Sequence, residues 1–445
     1  NVYNIYKMSY SSSVRMSIID AIISNNSQLI FRLGANSVYT SKMKLANIAL
    51  VCAAGTGKYN MVAGNGQSIK RIALMDGGVV LDQLTSANMF YGFKKFNSSN
   101  RKNRSYNRRS VGNALGFEFG NSTNSALTTG QISTNVLSNT TALTFKSCIY
   151  LDDWIAMLRS TDYLSTNLFK DLRVVVEYDL SNLNCGAGTV VTTIGAVTPA
   201  DDPLLVVEEI VREDIKQQIE QSLGSFTWFG IESDVVQVNA GLKADGTKPS
   251  ASSETVVQSV SLQYRGFNNK YVRRVLLVNT PQNDATASPN LQTDNAVIGA
   301  GNLSSTSNLQ EKLNLVVNGA LLLPTSCDKQ NEKLGMLVDT WGEVNAPLGA
   351  ATTGIFGGSD NINGSHNFEG RLTYTGLNVS SRIQSLKVNL TRTCQFNDTR
   401  TATFAGGIRT QFDQYNCPLL VTMFAEVRKA IVVQPNGTYS ISYIY

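Results

Sequence analysis

Apolar and polar residues alternate in short runs along much of the chain, the period-two pattern of a half-buried β-strand. Tyr439, Ile441 and Tyr443 interleave with Ser440 and Ser442, and Val257, Val260 and Leu262 punctuate Thr255 to Tyr264. The β-branched runs Arg173 to Tyr178 and Val272 to Val278 predict more deeply buried strands. Asn-Gly or Asp-Gly stands at Asn65-Gly66, Asp76-Gly77, Asp245-Gly246, Asn318-Gly319, Asn363-Gly364 and Asn436-Gly437. Such pairs accept the positive φ angles of the tight turns that join twisted antiparallel strands. Two stretches predict helices. In Leu204 to Leu223 the residues Val207, Ile210, Val211, Ile215 and Ile219 recur at spacings of three and four, with acidic residues on the other faces. Asp152 to Leu168 offers Trp154, Ile155 and Leu158 as an apolar face. Between these elements lie polar stretches rich in Gly, Ser, Thr and Asn: Asn97 to Thr141, Asn239 to Glu254 and Asn279 to Ser307. Loops of that length are uncommon in compact domains unless they are functional, and they are expected to cap one end of a β scaffold.

The pattern repeats. Residues 70 to 81 (KRIALMDGGVVL) and 312 to 323 (KLNLVVNGALLL) superimpose without a gap as strand, tight turn, strand. Asp76 falls on Asn318, Gly77 on Gly319 and Gly78 on Ala320. A weaker echo sets Leu172-Arg173-Val174 against Leu386-Lys387-Val388, in the same order within its half. The expected organisation is two similar β units, residues 20–224 and 225–445, behind an N-terminal extension of residues 1–19. Units of this size form single sandwiches or barrels, and an eight-stranded jelly roll leaves few exposed edges.

Composition narrows the chemistry. Charged residues make up 16% of the 445 positions and hydrophobic residues 42%, a poor fit to disorder or a coiled coil given about 25% charged in average soluble proteins. The net charge of +5 is too mild for a surface built to neutralise many phosphates. His366 is the single histidine, which excludes histidine-cluster metal sites. It lies in a loop-like stretch, and no serine sits in a nucleophile elbow. The adjacent acids Asp152-Asp153 and Asp201-Asp202 would diverge to opposite faces of a strand, a poor arrangement for acid–base work. Six cysteines, at 52, 148, 185, 327, 394 and 417, form no Cys-x-x-Cys pair and read mostly as small buried residues. No apolar run approaches the roughly 20 residues that span a bilayer, and no secretory signal is visible. The chain is therefore expected to be soluble, made in the cytosol, without cofactor or metal, and not an enzyme.

Four stretches carry a resemblance: Ser68 to Leu84, Leu313 to Pro324, Phe368 to Leu390 with Arg371-Leu-Thr-Tyr374 and Arg382-Ile-Gln384, and Tyr415 to Tyr445. With the length and the duplicated layout, the chain resembles the double jelly-roll major capsid proteins of icosahedral double-stranded DNA viruses, especially virophages and polinton-like viruses. The resemblance implies an all-β fold of two tandem eight-stranded jelly rolls with a few short helices. It also implies a homotrimeric, pseudo-hexagonal capsomer, long loops forming outward towers, and capsomer–capsomer contacts in a virion shell assembled inside the infected host cell. Penton and minor capsid proteins would be partners, with local contact to genome or inner membrane, and no small-molecule substrate. The alternative is a secreted or surface carbohydrate-binding or adhesive β-sandwich, since jelly rolls also serve lectins; a β-sandwich hydrolase is disfavoured by the lone histidine.

Two local patterns remain. Ala53 to Lys58 (AAGTGK) looks like a phosphate-binding loop, but Cys52 stands where the first glycine is required and Tyr59 follows the lysine, so a strand-ending turn is expected. Lys94, Lys95, Arg101, Lys102, Arg104, Arg108 and Arg109 form a basic run with Phe96 and Tyr106 interleaved. It suits phosphates, a membrane surface or acidic faces of neighbouring subunits, or is a solvated loop tip. Asp76, Gly77, Gly78, Asn318 and Gly319 are the expected hairpin turns.

Overall fold

A computed structural model describes residues 13–25, 27–52, 55–60, 69–87, 89–90, 136–139, 143–178, 193–194, 203–247, 255–281, 312–326, 330–341, 374–395, 419–434 and 437–443. The first half holds strands β1 (Val14–Asp20), β2 (Ile23–Ser24), β3 (Gln28–Arg32), β4 (Val38–Thr40), β5 (Lys44–Cys52), β6 (Gly55–Asn60), β7 (Ile69–Asp76), β8 (Val79–Thr85), β9 (Val136–Asn139), β10 (Leu143–Tyr150), β11 (Tyr163–Ser165), β12 (Leu172–Tyr178), β13 (Thr193–Ile194) and β14 (Leu204–Ile210). Helix α1 (Ala156–Ser160) follows β10 and α2 (Glu213–Ser222) follows β14. The second half holds β15 (Phe226–Val238), β16 (Thr255–Gln263), β17 (Tyr271–Pro281), β18 (Lys312–Val317), β19 (Ala320–Leu321), helix α3 (Gln330–Trp341), β20 (Tyr374–Arg382), β21 (Leu386–Gln395), β22 (Leu419–Val433) and β23 (Tyr439–Tyr443).

All described pairings are antiparallel, and the two halves pair alike. In the first, β1-β14-β5-β10 form one sheet, joined by β4, β11 and β13, and β3-β12-β7-β8 form the other, extended by β2. In the second, the sheets are β15-β22-β17-β20, with β23 on β22, and β16-β21-β18-β19. Taking eight principal strands per half in chain order, both halves read 1-8-3-6 in one sheet and 2-7-4-5 in the other. That order is the jelly roll, a sandwich whose first and last strands lie side by side, and the chain contains it twice. Because β1 is the first strand, residues 14–19 belong to the sandwich and not to an extension.

Backbone bonds fix the equivalence residue by residue. Leu33 donates to the Leu172 carbonyl and Tyr264 to that of Leu386; Gly77 donates to Asp171 and Asn318 to Ser385, each at 2.9 Å. The echo between Leu172 and Leu386 thus falls on equivalent strands, β12 and β21. The hairpins, however, are shifted by one residue from the gapless alignment. Asp76 pairs with Val79, so the first loop is Gly77-Gly78, whereas Val317 pairs with Ala320, so the second is Asn318-Gly319. Gly77 is therefore the counterpart of Asn318. Asn318 (φ 52°) and Gly319 (φ 87°) both occupy the left-handed region, as a type I′ turn demands, while in the first loop only Gly77 (φ 56°) does. β8 also carries a bulge opposite Leu74 and Met75, which the described part of β19 lacks.

Two predicted helices are corrected. Leu204 to Leu223 divides into β14 and α2: the register of β14 against β1 and β5 claims residues 204–210, and only Ile215 and Ile219 sit on a buried helix face, against Val38 and Ile210. Asp152 to Leu168 divides into a 3-10 turn (Leu151–Asp153), α1 and β11. Of Ala53 to Lys58, expected to be a strand-ending turn, residues 53–54 lie outside the described residues and 55–58 belong to strand β6, paired with β9.

The second sandwich encloses its own core, including Val275, Leu277, Met423 and Ala425 from one sheet and Leu315 and Val388 from the other. Tyr264 is fully buried there and donates its hydroxyl to the Val421 carbonyl at 3.0 Å. The core of the first sandwich continues across the seam: Leu74, Val174 and Trp154 share one apolar cluster with Trp228, Leu276, Val278 and Phe424 of the second.

The two turn glycines of the first hairpin differ in what they tolerate. Gly77→Ala forces a side chain into the left-handed region and is expected to cost about 1–2 kcal/mol. Gly78 has ordinary φ and open space around it, so Gly78→Ala is expected to change stability by less than about 0.5 kcal/mol. The shift in urea midpoint for each variant checks both values.

Candidate functional site: a charged seam between the sandwiches

β15 lies against β8 and α1, and where they meet the seam holds charge. Lys429 on β22 has a 7% exposed side chain; its Nζ lies 3.0 Å from Glu232 Oε1 on β15 and 3.6 Å from Asp82 Oδ1 on β8. Asp82 is 1% exposed, and its other oxygen accepts the backbone N–H of Met157 at the start of α1, at 2.8 Å. Glu232 also accepts from Lys270 Nζ at 2.6 Å and from the Tyr443 hydroxyl at 2.8 Å. Lys270 lies over the Tyr443 ring, 4.6 Å from its centroid. Room for Lys429 comes from Gly230: a Cβ there would stand 2.9 Å from Lys429 Cε.

Burial opposes charge on Glu232 and Lys429 alike, and the partners prevail. Lys429 and Lys270 hold the Glu232 carboxyl below its usual range, while Asp82 and Glu232 raise the Lys429 ammonium above its own. Such a pair contributes little beyond what apolar packing would, but stranding one member is costly. It therefore fixes how the two sandwiches meet.

Two further ties flank it. Asp76 Oδ2 accepts the Tyr439 hydroxyl at 2.7 Å, its Oδ1 accepts the Asp171 N–H at 2.7 Å, and Phe169 meets the Tyr439 ring edge-on at 5.0 Å. Burial, then this hydrogen bond, pushes the Tyr439 phenol upward. On the other side Arg274 grips Glu426 through two bonds of 2.7 and 2.6 Å and stacks on Trp341 of α3, whose Nε1 donates to the Val275 carbonyl. Phe90, just beyond β8, packs on both Trp341 and Phe424.

Of the residues singled out in the sequence, Asp76, Gly77 and Gly78 end one hairpin at this seam. Asn318 and Gly319 end the other, where Asn318 Oδ1 accepts the Gln384 N–H at 2.7 Å and Nδ2 donates to the Arg382 carbonyl at 2.8 Å. Lys94, Lys95, Arg101, Lys102, Arg104, Arg108, Arg109 and His366 lie outside the described residues. Among the described residues no group of His, Cys, Asp or Glu is placed to hold a metal, and no helix is long and apolar enough to cross a membrane. Sequence reasoning missed Asp82, Glu232, Lys270 and Lys429. The one signal available was a charged residue at alternate positions to apolar ones on a strand, as with Lys429 between Val427 and Ile431.

Lys429→Met leaves the buried Asp82 carboxylate without its cation and Glu232 with Lys270 alone, and is expected to cost about 3–5 kcal/mol, read from denaturant unfolding. The pH dependence has two limbs. With its folded pKa lowered, Glu232 contributes stability that is complete above about pH 4.3 and lost as pH falls; Lys429, raised, contributes stability that is complete below about pH 10.4 and lost as pH rises through its folded value. Unfolding midpoints should form a plateau between these limits, and Glu232→Gln should make the acid limb shallower.

No family model matches the chain, and no curated protein matches it by sequence. Solved structures do match. PBCV-1 VP54, fitted into a reconstruction of the virophage Sputnik, aligns over 97% of both chains at 10% identity with a TM-score of 0.56. The Faustovirus major capsid protein aligns over 95% of this chain and 90% of its own, at 10% identity and a TM-score of 0.52. The mavirus major capsid protein aligns over 98% and 91%, at 8% identity and a TM-score of 0.50. At such identities the likeness is one of fold, and the fold is the double jelly roll of these viral major capsid proteins.

Proposed function

We propose that the chain is a major capsid protein, a structural protein whose work is assembly and not turnover. Three copies would form a pseudo-hexagonal capsomer, and capsomers would tile an icosahedral shell built in the infected host cell. The observation that carries this reading is the presence of two equivalent jelly rolls in one chain, locked at a buried seam, in a fold that aligns with viral capsid proteins over nearly its whole length. A rigid two-sandwich unit supplies two of the six positions around a capsomer. On this reading penton and minor capsid proteins are further partners, and the basic run from Lys94 to Arg109 is available to a genome, a membrane or an acidic neighbour. Residues 20–224 and 225–445, with β1 added to the first, are the two structural units.

Light scattering on the purified 48.3 kDa chain tests the reading. A concentration-independent species of about 145 kDa is expected for a closed three-fold ring. A compact monomer at all concentrations would move the assignment to the glycan-binding or adhesive alternative.

A further inference from the structure

The seam brings an amine against a carboxyl in a site sheltered from water. Lys429 Nζ lies 3.6 Å from Asp82 Oδ1, and the two side chains are 7% and 1% exposed. Among the described residues that oxygen has no hydrogen-bond partner, while Oδ2 accepts the Met157 N–H at 2.8 Å. A third group, Glu232, places its Oε1 3.0 Å from the same Nζ. Leu81 and Ile231, next in sequence to the two acids, and Met157 itself belong to the buried apolar cluster. An ion pair requires only proximity, whereas amide formation makes use of each of these features.

In water a carboxylate and an ammonium are both solvated and charged, and they do not condense. In a dry site the charged pair is costly, and passage of a proton from Nζ to Oδ1 neutralises both groups without changing the net charge. Holding the two in contact also replaces a bimolecular encounter, an advantage equivalent to effective molarities of about 10⁵–10⁸ M in well-oriented systems.

We infer that Lys429 and Asp82 join through an isopeptide bond, a covalent fastening between the two sandwiches, with Glu232 as proton carrier. The atoms balance within the three side chains. One Nζ proton passes to Oδ1, the freed amine attacks Cγ to form the C–N bond, and the Met157 N–H stabilises the charge that gathers on Oδ2. A second Nζ proton reaches Oδ1 through Glu232, the Cγ–Oδ1 bond breaks, and water leaves. Oδ2 remains as the amide carbonyl, still bonded to Met157. Because the ion pair prevails before reaction, the neutral pair is a minor population and the bond forms slowly, after folding. The stability limbs of Glu232 and Lys429 are those of the unreacted chain. Since the seam lies within one chain, the bond does not depend on the capsomer reading.

Intact mass spectrometry of the purified chain, sampled over several days, is expected to show conversion to a species lighter by one water. Asp76-Gly77 and Asp245-Gly246 also lose one water when they form succinimides, so tryptic mapping assigns the bond. Residues 72–94 and 429–445 should appear as a single branched peptide. Lys429→Arg keeps the cation but has no amine to acylate, and should give no branched peptide. Glu232→Gln keeps the shape but carries no proton, and should form the peptide at least about 100-fold more slowly. A wild-type chain that unfolds cooperatively in urea, keeps its full mass and releases residues 72–94 unattached overturns the bond. A branched peptide that forms equally fast in Glu232→Gln overturns the role given to Glu232.

Discussion

A buried lysine held between two carboxylates sets the geometry of this molecule. Lys429 comes from the eighth strand of the second sandwich, Glu232 from its first, and Asp82 from the edge of the other sandwich. Apolar packing across the seam, with Trp154, Trp228, Leu276 and Phe424 in one cluster, is strong but tolerant of sliding. A buried ammonium is not tolerant, since any displacement that separates it from its partners leaves an unpaired charge in a dry site. Packing thus holds the sandwiches together and the charges select one orientation, a rigidity that a capsomer built from such units would need.

The turn residues serve that orientation as well. Asp76 closes its hairpin against Asp171 and at the same time receives Tyr439 from β23. Its hairpin is thereby coupled to the second sandwich. Asn318, near the counterpart turn, spends its side chain inside its own sandwich, on the connection between β20 and β21. The repeat is exact in strand order and divergent in what its turns hold, which is how a duplicated fold comes to have two distinct ends.

Much of the sheet content was legible in the sequence because it follows from local periodicity. β12, β16, β17 and β23 match the alternating or β-branched runs that announced them, and the Leu172 and Leu386 echo falls on equivalent strands. What failed was decided by partners distant in sequence. In residues 204–223 the spacing of Val207, Ile210 and Val211 fits a helix, yet pairing with β1 and β5 holds the first seven residues as a strand. The one-residue slip between the hairpins already stands in β7 and β18, where Asp76 pairs with Leu172 and Val317 with Leu386, and a dipeptide match carries no information about cross-strand register. The seam charges were illegible for the same reason: Asp82, Glu232 and Lys429 become neighbours only when both sandwiches have formed.

The pairing of first strand with eighth has a kinetic consequence. Arg15 on β1 meets Glu209 on β14, 194 residues along the chain, and β15 likewise waits for β22. Until the eighth strand docks, the first strand of each sandwich lacks its neighbour and the core stays open to water. Loop closure over such distances is slow relative to local pairing, and intermediates with unpaired strand edges are prone to aggregation. The topology that gives each sandwich its closed form therefore also gives the chain a long-lived vulnerable stage during synthesis, and a dependence on conditions that keep half-built sheets apart.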